Sequence, residues 1–304
     1  MRTDTVVMIR PKHFSYNKET AISNAFQQKA NSNELLTIKQ QALKEFDDLV
    51  GKIKAAGVNV LVYEDTDEPE KSDAVFPNNW FTTHSNGTIC LYPMFAENRR
   101  TERRIDIVED LKLKFHFKTV EDFSYFEIAN QFLEGTGSLI LDRDEKLMYA
   151  CISPRTDKEV VETVAYKLGY KPVIFNSVDR NGKAIYHTNV MMSLADEFVI
   201  ICLASIQKEK EKKQLLDNFA DTGKIVIDIS YDQMEQMAGN VIQLQSTTGE
   251  KIEVMSQTAL NAFTDEQLTQ ILMHNKIVNS NISTIEKYGG GSARCMIAEI
   301  FKPV

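Results

Sequence analysis

A thiol, an imidazole and a carboxylate stand out among the side chains that could do chemistry: Cys295, His187 and Glu134. Cys295 comes four residues after the run Gly289-Gly290-Gly291 and opens the apolar stretch Met296-Ile297-Ala298. Consecutive glycines cost backbone entropy, and they persist where the backbone must approach something closely or turn with positive φ. The pattern describes a thiol delivered by a tight loop onto the end of a buried strand. The plain alternative is a glycine turn leading to an inert core cysteine. A free thiol, with pKa about 8.5, is mostly protonated at neutral pH and needs a cation or base beside it to become a nucleophile. His187 could supply that charge, protonate a leaving amine and later activate water. Glu134 could orient the imidazole and favour its charged form.

These residues share a place in a repeating pattern. Hairpin-like segments at Asp73–Met94, Glu134–Arg155, His187–Ile206 and Gly239–Ser256 are each followed by a helical segment and a further strand. Gly291–Phe301 begins a fifth unit, which strand Val6–Arg10, helix Leu35–Ile53 and strand Val58–Tyr63 would complete from the other end of the chain. Leu35, Ala42, Phe46, Leu49 and Ile53 form one stripe at helical spacing. Units repeating at roughly 50–60 residues argue for a circular α/β array, read as one domain over 1–304 whose last blade is closed by both termini. Equivalent strand starts then converge at one end of the axis. They carry Asp73 with Asn78-Asn79, Glu134-Gly135-Thr136-Gly137, His187-Thr188-Asn189, Gly239-Asn240 and Cys295.

The 304 residues are 43% hydrophobic and 26% charged with a net charge of −8, an ordinary globular composition without a basic block of nucleic-acid type. No apolar run reaches membrane-spanning length, and the N-terminus does not read as a signal peptide. Cys90, Cys151 and Cys202 each lie in an apolar strand-like run and read as core. No CxxC pair or cysteine–histidine spacing suggests zinc, so neither metal nor cofactor is expected. Reduced thiols without an export signal point to the cytoplasm.

Taken together, Asp73…Phe76-Pro77-Asn78-Asn79, Glu134-Gly135-x-Gly137, Arg155-Thr156-Asp157, Tyr186-His187 and Gly289-Gly290-Gly291-x-x-x-Cys295 resemble the amidinotransferase/arginine deiminase (pentein) superfamily, five-bladed α/β-propellers acting on guanidino and ureido groups. Arg10-Pro11-Lys12 and Phe76-Pro77-Asn78-Asn79-Trp80-Phe81 look more narrowly like its citrulline-utilisation hydrolase branch. The resemblance implies Cys295 as nucleophile, His187 as general acid/base and Glu134 as its partner. It also implies a clamp in which Asp73 meets the substrate α-ammonium. Arg155, with Arg99 or Arg100, would meet the α-carboxylate. Arginine deiminases carry carboxylates that read the guanidinium near positions where this chain has Gly137 or Ser138 and Asn189. Methylarginine hydrolases carry an acidic pair where it has Asn78-Asn79. An amide offers both donor and acceptor, which suits a neutral ureido group. The succinylarginine dihydrolase branch also uses an amide near here while accepting a guanidinium, so arginine stays open.

The expected activity is hydrolysis of citrulline to ornithine, CO2 and ammonia through a covalent cysteine adduct. The alternatives are an arginine or modified-arginine deiminase or dihydrolase, an amidinotransferase, and, remotely, a non-catalytic propeller binding module. A small amino-acid ligand is expected, with no nucleic-acid or membrane partner; a homo-oligomer is left open.

Overall fold

The computed structural model describes residues 2–24, 26–29 and 32–304. The chain opens with β1 (Thr5–Arg10), the helix Leu35–Ala55 and β2 (Asn59–Glu64). β3 (Phe81–His84), β4 (Thr88–Leu91), the helix Ile105–Phe115 and β5 (Thr119–Asp122) follow. The next unit is β6 (Ile140–Asp142), β7 (Leu147–Cys151), the helix Lys158–Leu168 and β8 (Lys171–Phe175). Then come β9 (Met192–Leu194), β10 (Phe198–Ile201), the helix Glu209–Asp221 and β11 (Ile225–Asp228). The last complete unit is β12 (Ile242–Gln245), β13 (Lys251–Ser256), the helices Gln257–Ala262 and Asp265–Leu272, and β14 (Lys276–Ser280), before β15 (Ala298–Glu299) near the chain end.

These strands form five three-stranded sheets. In each, a hairpin pairs antiparallel and its second strand pairs parallel with the strand after the helix, as in β6–β7–β8. The fifth sheet repeats this order with strands from the two ends of the chain: β15 is antiparallel to β1, with Val6 opposite Glu299, and β1 is parallel to β2. The architecture is therefore the five-unit α/β-propeller that the repeat predicts.

Local chemistry explains the units. The helix Lys158–Leu168 starts at Asp157, whose side chain accepts from the Glu159 and Val160 amides, and stops at Gly169, which takes φ +71. Val160, Val161, Val164 and Ala165 line its buried face. In the helix Leu35–Ala55, Phe46, Leu49 and Ile53 are fully buried in one cluster with Met8, Val254 and Val278. Each such side chain contributes roughly 1.5–3 kcal/mol through burial.

Two expectations need correction. The buried strand expected to open at Cys295 begins only at Ala298 and spans Ala298–Glu299. Consecutive turn bonds, from the amides of Cys295, Met296 and Ile297 to the carbonyls of Ser292, Ala293 and Arg294, coil the chain before it can extend. The helical segment that the sequence suggests over Thr101–Leu113 begins at Ile105, because Glu97–Glu102 is a separate 3-10 segment.

Candidate active site

Each unit turns once before its first strand, and those turns carry the chemistry. Backbone amides of Asn79, Gly137, Val190, Asn240 and Cys295 each bond the carbonyl three residues earlier. The turn places its side chains at the strand's leading end, where neighbouring units meet. Two glycines make the close approach possible. Gly135 has φ +44, and a Cβ there would collide with the Asn78 carbonyl. A Cβ on Gly137 would lie 2.5 Å from Asn79 Nδ2 and 2.7 Å from His187 Nδ1. The Glu-Gly-x-Gly spacing thus lets the backbone of one unit lie against side chains of two others.

Glu134, His187 and Cys295 are all buried. Glu134 Oε2 lies 2.8 Å from His187 Nε2, and its Oε1 accepts the Phe95 amide at 3.0 Å. Burial raises the Glu134 pKa, but Arg155 at 3.4 Å, the His187 hydrogen bond and Arg99 at 3.9 Å outweigh it and hold the carboxyl below its usual range. An ionised carboxylate only accepts, so the proton between them sits on Nε2 and the neutral ring keeps its lone pair on Nδ1. Burial lowers the His187 pKa to about 4, despite the pull of Glu134. The imidazole is therefore neutral near pH 7. Burial thus opposes the resting charge expected of His187 and leaves Nδ1 as the ring nitrogen open to a proton.

Two amides address the sulfur. Asn189 Nδ2 donates to Cys295 Sγ at 3.3 Å and Asn240 Nδ2 donates at 3.2 Å. Asn240 also accepts from the Cys295 amide at 3.4 Å through Oδ1. The other thiols lie elsewhere in the core, and burial pushes Cys90 up to about 12 and Cys151 up to about 11.

Beside this centre stand Asp73 and Arg155, both 2% exposed. Asp73 Oδ2 accepts from Asn17 Nδ2 at 2.7 Å and Thr20 Oγ1 at 3.2 Å, while its Oδ1 has no partner. Burial raises the Asp73 pKa and Arg99 opposes that. Arg155 donates from Nε to Ser23 Oγ and from Nη2 to the Thr20 carbonyl, both at 2.8 Å. Its guanidinium carbon stands 4.8 Å over the Tyr186 ring.

Arg99 reaches the site but is otherwise engaged. Nε and Nη2 grip Glu102 at 2.9 and 2.8 Å, and Nη1 donates to Asn79 Oδ1 at 2.9 Å. Its forked face already holds a carboxylate, so the geometry does not support the expected α-carboxylate clamp at Arg99. Arg100 points away, to the Met94 carbonyl and Glu127.

Because arginine can only donate, Asn79 must turn its oxygen to Arg99. Its Nδ2 is left buried and unpartnered. Asn78 is buried with neither polar atom bonded, and Asn189 keeps an unbonded Oδ1. Cys295, His187, Asp73, Asn79, Arg99 and Arg155 all line one small cavity of about 20 Å³. Asn78 and Asn189 do not line it.

Sequence reasoning missed Asn17, Thr20, Ser23, Glu102 and the sulfur contact of Asn240. Asn240 had a signal, its equivalent position in the fourth unit. So did Glu102, three residues beyond Arg99. The stretch around Asn17–Asn24 has no periodicity, and the only cue was the length of the connection between β1 and its helix. Among the described residues no cluster of His, Cys, Asp and Glu could hold a metal ion, and no helix is long and apolar enough to cross a membrane.

A family model described as N,N dimethylarginine dimethylhydrolase, eukaryotic, matches residues 10–302. No curated protein matches the sequence. Among solved structures, the N-terminal domain of ArgZ, an arginine dihydrolase from the ornithine–ammonia cycle in cyanobacteria, superposes in its substrate-bound Cys→Ser form with TM-score 0.75 at 14% identity, covering 98% of both chains. Against full-length ArgZ the figures are TM-score 0.75 and 15% identity; the match covers 99% of this chain, which spans only 41% of that relative. A dimethylarginine dimethylaminohydrolase His→Gly variant, in adduct with S-methyl-L-thiocitrulline, matches with TM-score 0.67 at 15% identity over 99% of this chain and 100% of that one.

Proposed function

Since the chain belongs to the N,N-dimethylarginine dimethylhydrolase family, hydrolases of amidino-type C–N bonds within the pentein superfamily, we propose that it hydrolyses the ureido group of a free amino acid, citrulline, to ornithine, CO2 and ammonia. The observation that carries this reading is the orientation of Asn79. With its oxygen taken by Arg99, it presents a buried N–H donor beside His187. A ureido oxygen accepts such a bond. A guanidinium, which only donates, leaves the N–H unpaired at roughly 1–3 kcal/mol.

In the proposed reaction, His187 Nδ1 takes the Cys295 proton as sulfur attacks the ureido carbon. Asn189 and Asn240 bond the sulfur anion. The tetrahedral adduct collapses as the imidazolium protonates the departing nitrogen, leaving a thiocarbamate on Cys295. His187 then deprotonates a water that displaces the sulfur, and the released carbamate gives CO2 and an amine. One water is consumed and the amine and ammonia leave in either order. Asp73 and Arg155 hold the α-ammonium and α-carboxylate.

A second reading, hydrolysis of arginine through citrulline to ornithine, draws on the unbonded Asn189 Oδ1 beside the sulfur, an acceptor suited to an N–H of either head group. Steady-state kinetics on both substrates with Asn79→Asp tests the choice. Citrulline kcat/KM should fall about tenfold or more and relative binding of arginine should rise. If citrulline turnover is unchanged, or both substrates fall equally, Asn79 does not read the head group. A wild-type enzyme that releases dimethylamine from dimethylarginine and leaves citrulline untouched would overturn the proposal.

A further inference from the structure

We propose that the cavity between the β3–β4 and β6–β7 hairpin turns binds a phosphate group, at the strand ends away from the candidate active site. The observation that points to it is a buried cation without a carboxylate. Five lysine and arginine side chains are buried among the described residues: Lys71, Arg99, Arg143, Arg155 and Arg294. Lys71 meets Asp65 at 3.1 Å, Arg99 meets Glu102 at 2.8 Å, Arg155 meets Glu134 at 3.4 Å and Arg294 meets Glu299 at 3.0 Å. Arg143, 7% exposed, is the exception: no carboxylate of the described residues pairs with it. It donates to His84 Nδ1 at 3.3 Å, and its guanidinium carbon stands 3.6 Å over the Phe301 ring. Both partners are neutral. An imidazole whose Nδ1 accepts is uncharged, and burial, with Arg143 and Lys146 nearby, holds the His84 pKa well below the ordinary histidine value. Asp142 and Glu299 line a second cavity with Arg143, but Lys224 at 3.6 Å and Arg294 already pair with them. A buried charge without an opposite charge is strongly disfavoured, so Arg143 calls for an anion.

The cavity has room for one. Its volume is about 130 Å³, several times the roughly 10–15 Å³ that one water needs. Arg143, Lys146, His84, Ser85, Asn86 and Tyr170 line it, and no acidic side chain does. Ser85 and Asn86 follow β3, while Arg143 and Lys146 follow β6. Asn79 and Glu134 precede those same strands, so the cavity and the catalytic turns lie at opposite strand ends. Lys146 is exposed and has no ion pair among the described residues; its ammonium stands 5.1 Å from the Tyr170 ring. Asn86 turns Oδ1 to the Thr88 amide at 3.1 Å, which leaves its Nδ2 donor as the free end. Two cations among neutral donors suit a dianion better than a carboxylate, which would neutralise one of them. A phosphate monoester carries about −1.5 to −2 near pH 7, and a guanidinium fork matches its oxygens. Phe301, under Arg143, donates its amide to Thr83 Oγ1 at 2.7 Å. An anion that holds Arg143 therefore ties the segment after β15 to the turn after β6 and strengthens the closed ring.

Thermal unfolding in phosphate-free buffer tests this, with inorganic phosphate, glycerol 1-phosphate or acetate added at matched ionic strength. A ligand that binds only the folded state raises the midpoint in step with its concentration. Inorganic phosphate should raise the wild-type midpoint well beyond the acetate response. If the ester does so as well, the group can arrive on a larger molecule; if it does not, the site takes the free ion. Lys146→Gln, a surface change, should weaken the apparent affinity about fivefold, and Arg143→Gln about 30-fold or more. Should Arg143→Gln fail to fold, the Lys146→Gln titration decides alone. A phosphate response no larger than that of acetate overturns the proposal. So does a response that Lys146→Gln keeps at wild-type strength, which would place the anion elsewhere, as at Arg155.

Discussion

Glu134 and Glu253 are equally buried, with no exposure at all, yet they differ in charge. Glu134 sits at the converging ends of the units, where Arg155, Arg99 and His187 arrive from other turns and keep it ionised. Glu253 sits in the middle of β13. Its Oε2 accepts from Asn275 Nδ2 at 3.3 Å, its Oε1 has no partner, and burial alone pushes it up to about 8. A mid-strand side chain meets only what its own sheet and the layer above it offer. A side chain at a strand end can be met by groups from several units. The same residue type is thus held ionised in one of these places and neutral in the other.

The contrast can be attacked at its strongest point first. Cys295→Ala removes the sulfur and leaves the axial charges in place. Turnover should fall to background, about 10⁴-fold or more, while the thermal midpoint stays near wild type; retained activity would remove Cys295 from the reaction. Arg155→Met strikes the charges themselves. Breaking a buried pair by removing one partner costs about 3–5 kcal/mol, and denaturant melts should show that loss at pH 7. The folded-state pKa of Glu134 lies below its ordinary value, so its stabilisation is present above the usual carboxylate range and is lost as pH falls through that lowered pKa. The deficit of the variant should therefore shrink in acid. An equal deficit at pH 7 and pH 3 would mean that Arg155 does not hold the Glu134 charge.

Glu253 is the reverse case. It has a raised folded pKa, so its contribution is fully present below the unfolded value near 4.5 and is lost as pH rises toward about 8. Glu253→Gln should match wild type at pH 4 and exceed it at pH 8 by up to about 4 kcal/mol. A stability difference that does not change with pH would show that the two carboxyls are not distinguished by their charge.

The fold was legible because its signals are local and repeated. Asp157 and Gly169 bracket one helix, Gly87 marks a hairpin, and the same order returns around the ring. The convergence of Cys295, His187 and Glu134 followed from their places in the same turn of three units, which Glu134 and His187 begin and Cys295 ends. What stayed hidden depends on burial and on partners distant in sequence. The neutrality of His187 comes from desolvation, which no motif records. Arg99 stands in sequence among Arg100, Arg103 and Arg104, and only its pairing with Glu102 in the fold marks it as buried. Thr20 acts through its backbone carbonyl, so its residue type carried no information about that role. The strand expected to open at Cys295 starts late for a similar reason: Met296 and Ile297 continue the turn that seats the thiol.

The pairing of Val6 with Glu299 has a consequence for how the protein is made. These residues lie roughly 290 positions apart, and closing a loop of that length costs about 5 kcal/mol in chain entropy. A sheet assembled from such distant segments forms late and slowly. During synthesis the first four hairpins can gather while β1 and β2 wait for a third strand. Cys295 lies only three residues before β15, so the proposed nucleophile is seated in the same event that closes the ring. A nascent chain that has folded every other blade still lacks the proposed centre, and the thiol meets His187 only when the ring is complete.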